Sequence, residues 1–151
     1  MIEVADGYAV ERLIRRAVNN GARYRRLVVC APFIDACWLA LFGLHGGGCD
    51  ITVVTTPAAA AHLRATNKCT GITIATHPGL HAKIYLLEGH RLENSEVIVT
   101  SANLTNSGLR GNTELGTRAI PTTAAGRALY TEIVRQMRST GLTGSMTRRA
   151  V

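Results

Sequence analysis

The run Leu80–Gly116, LHAKIYLLEGHRLENSEVIVTSANLTNSGLRGNTELG, decides how the rest of this chain is read. Two segments inside it, His81–Leu87 and Glu96–Ser101, have the composition of β-strands, and the polar stretch 88–95 joins them. Residues two apart on a strand share a face, so His81 and Lys83 project together, as do Ser101 and Asn103. Glu114 lies in a Gly-flanked segment that turns apolar again, and it adds a carboxylate to the same patch if its strand lies alongside. Five polar side chains are thereby expected to converge on one patch of a sheet.

The remaining residues read as scaffold. A length of 151 residues fits one domain, and an apolar content of 46% suffices for a core. One domain over 1–151 is expected, with residues 1–6 and about 140–151 frayed at its ends. A formal charge of +7 and a pI near 9.8 favour a polyanionic partner, either nucleic acid or a phospholipid surface. Arg12, Arg15, Arg16, Arg23, Arg25 and Arg26 near the start, and Arg135, Arg138, Arg148 and Arg149 near the end, read as solvated helix faces. The opening MIEVADGYAVERLIRR carries acids early and lacks an uninterrupted apolar core, unlike a signal peptide. No stretch approaches the roughly 18 apolar residues of a membrane helix, so a soluble, cytoplasmic protein is expected, with no membrane partner. Cys30, Cys37, Cys49 and Cys69 show no Cys-x-x-Cys spacing and read as reduced, buried thiols, not as zinc ligands with His45, His62 or His77.

Helical periodicity over Tyr8–Asn20 predicts a surface-packed helix with Gly21 as its C-cap. Arg26–Ile34 reads as a buried strand that ends at Pro32 or just after, Asp35 as the cap of a helix over Ala36–Leu44, and Gly46–Gly48 as a turn. That glycine run lacks the Gly-Lys-Ser/Thr ending of a phosphate loop. Asp50–Thr56 and Gly71–Thr76 are further strands, separated by a helix that Pro57 opens. Leu104–Asn112 reads as a loop, Glu114–Ile120 as a strand, and Thr122–Arg138 as an amphipathic helix. Alternating helices and strands argue for an α/β protein with a mixed, largely parallel sheet flanked by helices on both faces. Trp38 and Phe42, four apart on a helix, read as core and not as a base-stacking platform.

His-x-Lys, an acid five residues after the lysine, and then Ser-x-Asn resemble the HKD signature of the phospholipase D superfamily, here as His81, Lys83, Glu88, Ser101 and Asn103. The following Ser107–Glu114, Ser-Gly-Leu-x-x-Asn-x-Glu, resembles the single-motif nuclease branch, which includes restriction-endonuclease-type catalytic domains. Two departures are visible: Glu88 replaces the usual Asp, and Thr100 stands where a Gly normally precedes the serine. Neither His45, His62, His77 nor His90 has a lysine two residues on, so the chain carries one copy of the motif.

The resemblance implies a phospholipase D-like fold and a phosphodiesterase that needs neither metal nor other cofactor. His81 would attack phosphorus and form a phosphohistidine, Glu114 would orient its imidazole, and Lys83 and Asn103 would hold the non-bridging oxygens. Ser101 would support that geometry, while Glu88, at a strand end beyond the patch, is kept as structural. A single motif lacks a second histidine for the leaving group, so the implied assembly is a homodimer sharing one active site. Nucleic acid, DNA before RNA, is the expected substrate; the short chain implies low sequence specificity, or a separate specificity or helicase subunit. Two other readings stay open: a phospholipid-directed phosphodiesterase or transferase, and an inactive nucleic-acid-binding subunit.

Overall fold

The β-branched and apolar runs of the sequence all enter one sheet. The computed structural model describes residues 1–43, 48–66 and 71–144. Within them the strands are β1 (Ile2–Ala5), β2 (Tyr24–Cys30), β3 (Asp50–Thr55), β4 (Ile72–Thr76), β5 (Ile84–Gly89), β6 (Glu96–Thr100) and β7 (Gly116–Ala119). The helices are α1 (Gly7–Asn19), α2 (Ala36–Phe42), α3 (Pro57–Ala65) and α4 (Ala124–Ser139). The sheet order is β1-β7-β6-β5-β2-β3-β4.

The mixed sheet expected from the sequence is present, and its parallel part is confined to β2, β3 and β4. The crossovers that parallel strands require are supplied there by α2 and α3. The other four pairings among the described residues are antiparallel. A short connection between β5 and β6 permits only a hairpin, which is why antiparallel pairs prevail on that side.

Both sheet faces are covered, which is why the central strands read as continuous apolar runs. On one face Leu13, Ile14 and Ala17 of α1, Leu39 and Phe42 of α2 and Leu63 of α3 pack over Leu27, Val29, Val53, Tyr85, Leu87 and Ile98. On the other, Tyr130, Val134 and Met137 of α4 cover Val28, Cys30, Leu86, Val97 and Ala119. Trp38 and Phe42 are buried, as expected. Local caps define the helix starts: Asp6 Oδ1 accepts from Ala9 N at 2.8 Å, and Thr123 Oγ1 accepts from Gly126 N at 3.2 Å.

Several boundaries differ from the sequence expectation. Residues 1–6 are not frayed, because Ile2–Ala5 pairs with β7 in register Ile2↔Ala119 to Ala5↔Gly116. Near the other end Leu142 and Thr143 are buried, and the Cys30 thiol donates to Leu142 O at 3.1 Å; residues 145–151 lie outside the described residues. Asn20, not Gly21, caps α1, and Gly21 opens a 3-10 turn. Gly46 and Gly47, with His45, Lys68 and Cys69, also lie outside the described residues. β2 stops at Cys30, two residues short of the Pro32 expected to end it, since Pro32 has no N–H for a ladder. Leu104–Asn112 is not a plain loop: Ser107–Gly111 forms a π-helical turn.

Candidate functional site

The motif residues collect at one end of the sheet. Cys30↔Ile84 sets the start of β5 beside the carboxyl end of β2, Ile84↔Val99 brings the end of β6 alongside, and Thr100↔Gly116 adds the start of β7. His81–Lys83, Ser101–Asn103 and Glu114 therefore flank the same edge, at the carboxyl ends of the parallel strands, where open α/β sheets hold their ligands. His81 and Lys83 are not inside β5 as expected; they form the extended lead-in to Ile84.

The chain beyond β6 crosses the start of β5. Thr100 N donates to Lys83 O at 3.1 Å on one side, and on the other Leu104 bridges Ile34 in parallel, with Asp35 N donating to Leu104 O at 2.9 Å. Because β5 lies between β6 and β2, residues 101–103 must pass over the segment that carries His81 and Lys83. Two devices pin the crossing: the buried Tyr85 hydroxyl donates to Ala102 O at 2.9 Å, and Ala102 and Leu104 are wholly buried. Ser-x-Asn is thus laid across His-x-Lys by the topology, twenty residues away in sequence.

Individual contacts refine this picture. Lys83 Nζ donates to His81 O at 3.1 Å, and no hydrogen bond engages the exposed His81 ring among the described residues. Ser101 Oγ donates to Glu114 Oε2 and accepts from Leu115 N at 3.3 Å, and Asn112 Nδ2 donates to Glu114 Oε1 at 3.4 Å. The carboxylate expected to orient His81 is held by Ser101 and Asn112 instead. The physical reason is strand order: β6 stands between β5 and β7, so a side chain entering β7 meets Ser101 first. Buried polar atoms without a partner among the described residues include Asn103 Oδ1 and His77 Nδ1, both at this edge. Sequence reasoning gave His77 no part in this patch, although the Pro78-Gly79 turn between it and the motif was a signal. Glu88 lies away from the site, at the opposite end of β5, as expected.

Thr100 replaces a glycine without disrupting the ladder. Its backbone closes β6, and its Oγ1 donates to Leu115 O at 3.1 Å and accepts from Ala102 N at 3.2 Å. The facing residue is Gly116, where a Cβ would press on Val99 O and stand 2.6 Å from Thr100 Cβ.

The π turn is bolted to α1 and to the end of β2. Gly7 meets Leu109 so closely that a Cβ there would lie 2.9 Å from Leu109 Cα, and Asn106 N donates to Asp35 Oδ2 at 2.7 Å. Asp35 thus stands at the cap position of α2 while its side chain serves the loop. Buried Glu11 accepts from Arg110 at 2.6 and 3.0 Å and from Arg15 at 2.8 Å. The Arg110 hydrogen bonds, above all, hold the Glu11 carboxyl down at about 2, against the upward push of burial and with help from Arg15. A depressed carboxyl stabilises the fold fully above its unfolded value of 4.5 and loses that contribution as pH falls through about 2. Glu11→Gln is expected to cost about 1–3 kcal/mol at pH 7 and to flatten the decline in stability between pH 4.5 and 2, read from urea midpoints.

Phe33 is exposed at 65%, although the sequence placed it in a buried strand. The Ile34↔Leu104 bridge sets Phe33 beside Asn103 in that short parallel register. An aromatic ring therefore borders the edge on which the motif converges. Among the described residues no group of three or more His, Cys, Asp and Glu side chains is placed to hold a metal ion.

No protein-family model and no curated protein matches the chain. Solved structures do: a phospholipase D family member, Nuc from Salmonella typhimurium, superposes with a TM-score of 0.61 at 16% identity, over 93% of this chain and 95% of that one. The chain has the phospholipase D fold. Polyphosphate kinase from Porphyromonas gingivalis is similar over 91% of this chain and 22% of its own (TM-score 0.59, 18% identity). Yeast tyrosyl-DNA phosphodiesterase, in a mutant form, is similar over 79% of this chain and 31% of its own (TM-score 0.51, 12% identity). A phospholipase D fold thus occurs in proteins named for different reactions, so chemistry must be argued from the site.

Proposed function

We propose that this chain is a metal-independent phosphodiesterase acting on nucleic acid, a DNA endonuclease of low intrinsic sequence specificity whose active site is shared by two copies. The observation that carries the reading is the passage of Ser101–Asn103 over the start of β5, which stacks both halves of the motif on one sheet edge. Similarity in fold to a phospholipase D family member and to a tyrosyl-DNA phosphodiesterase supports the reaction class, and the net charge of +7 supports a polyanionic substrate.

In this mechanism a ring nitrogen of His81 attacks phosphorus in line, and the P–O bond to the leaving oxygen breaks. His81 of the partner subunit donates the proton that the leaving oxygen takes up. Water, deprotonated by that same imidazole, then attacks the phosphohistidine, breaks the P–N bond and restores His81. Lys83 and the Asn103 amide N–H bear the charge on the non-bridging oxygens. Ser101 and Glu114 act as positioning residues, tying the crossing segment to the start of β7. Thr100 keeps its place in the β6–β7 ladder, which supports a working site over an inactive phosphate clamp.

Purified protein with plasmid in excess EDTA is expected to nick DNA across pH 5 to 8, where imidazoles exchange protons. Light scattering on the active species is expected to give a dimer. An intact plasmid at every pH would defeat the nuclease reading, and an active monomer would defeat the shared site. Phe33 lies where a base next to the scissile phosphate would stack. Phe33→Ala is expected to weaken single-stranded oligonucleotide binding by about 1–3 kcal/mol, read by fluorescence anisotropy.

A further inference from the structure

Three members of the two arginine clusters expected to be solvated helix faces meet in space. Arg25 and Arg26 at the start of β2 and Arg138 near the end of α4 all point at one carboxylate, Glu88, at the far end of β5. Glu88 is 3% exposed, and Arg26 Nε takes its Oε2 at 2.8 Å. Arg25 and Arg138 approach Oε1 only to 3.4 and 3.7 Å, and both side chains are more than half exposed. Three guanidiniums thus face one carboxylate, and among the described residues no hydrogen bond engages the side chains of Arg25 and Arg138. Arg135, the next cation along α4, is already neutralised by Glu132, at 2.6 and 2.8 Å.

These donors open on a cavity of about 490 Å³ between α4 and the β5–β6 connection. Arg25, Arg138 and Glu88 line one part of it, and Leu92, Tyr130 and Val134 supply apolar wall. That volume lies in the range of small-ligand sites, roughly 300–1,000 Å³. Excess guanidinium beside an aromatic and aliphatic wall selects an anion attached to a flat or apolar body. Six residues of β5 separate the cavity from the motif edge, roughly 20 Å at a strand's rise, so one small ligand cannot occupy both.

We propose that this cavity is a second binding site, for the phosphate and attached nucleoside of a nucleotide. The ligand's phosphate completes the charge balance that Glu88 leaves short by two, and its ring lies against Tyr130 and Leu92. The nucleotide is either free or one unit of a nucleic-acid strand; the chemistry recognised is the same.

The test titrates 5′-AMP and a twelve-residue thymidylate into the unaltered protein and into Arg25→Gln/Arg138→Gln by calorimetry, with inorganic phosphate as competitor. Hydrolysis of bis(p-nitrophenyl) phosphate and the melting temperature serve as controls. The expected result is a loss of 5′-AMP affinity of at least about tenfold in the variant, competition by phosphate, and unchanged hydrolysis and melting. Loss of oligonucleotide affinity alone supports the site and assigns it to a strand. Ligands that bind the variant as well as the unaltered protein, or that bind neither, overturn the proposal. If the double variant melts early, Leu92→Glu, at the exposed rim, places a negative charge in the cavity without touching the Glu88 pairs and must give the same loss. Failure of the nuclease reading looks different: no hydrolysis, with nucleotide binding and its loss in the variant intact.

Discussion

His81→Ala is expected to abolish phosphodiester hydrolysis, by roughly 10⁴-fold or more as for other nucleophile deletions, while leaving the melting temperature within about 2 °C. The imidazole is exposed, and no hydrogen bond among the described residues uses it, so the fold has nothing to lose with it. Quenching the unaltered enzyme and radiolabelled substrate in denaturant at alkaline pH should trap a base-stable, acid-labile phosphoryl adduct that the variant lacks. Mixing His81→Ala chains with unaltered ones should depress activity beyond simple dilution, because a mixed dimer has one imidazole where two are required. A variant with appreciable residual turnover would remove His81 from the chemistry. Linear dilution in the mixture would instead leave the nucleophile in place and remove the shared site.

Glu88→Gln is expected to produce the largest loss of stability. Its carboxylate is buried and answers Arg26 directly, with Arg25 and Arg138 within 4 Å. Neutralising it leaves three guanidiniums crowded at one end of β5, at an expected cost of about 2–4 kcal/mol in urea unfolding. Hydrolysis per folded molecule should stay unchanged, since the site lies at the other end of that strand. The two measurements together separate an acid that holds the fold from one that takes part in turnover. A drop in turnover without a drop in stability would reverse the assignment.

What was legible in the sequence follows from the range of the forces involved. Central strands announced themselves because both faces are buried, so Leu27–Cys30, Val53–Val54 and Ile84–Leu87 are apolar without interruption. Helix starts were legible from Pro57 and from the apolar periodicity beginning near Thr122, and in the folded chain Thr56 and Thr123 cap those turns. The short edge strand β1 was missed, since Ile2–Ala5 alternates weakly and owes its pairing to β7, more than a hundred residues away. Pro32 marked the end of the strand, but the exposure of Phe33 was not legible, because an apolar residue after a buried strand looks buried. The motif residues were found by spacing, but the partner of Glu114 depends on which strands are neighbours, and that order is a tertiary fact. For the same reason the arginine clusters looked like separate solvated faces, although Arg25, Arg26 and Arg138 converge on Glu88.

The close approach at Gly116 decides which side of this rung can be redesigned. A Cβ there would press on Val99 O and stand 2.8 Å from Thr100 Cα, both backbone atoms, so trimming the facing side chain does not make room for it. The two facing positions, sixteen residues apart in sequence, are therefore not interchangeable. A variant library can vary residue 100, whereas residue 116 has to stay glycine for β6 and β7 to keep their spacing.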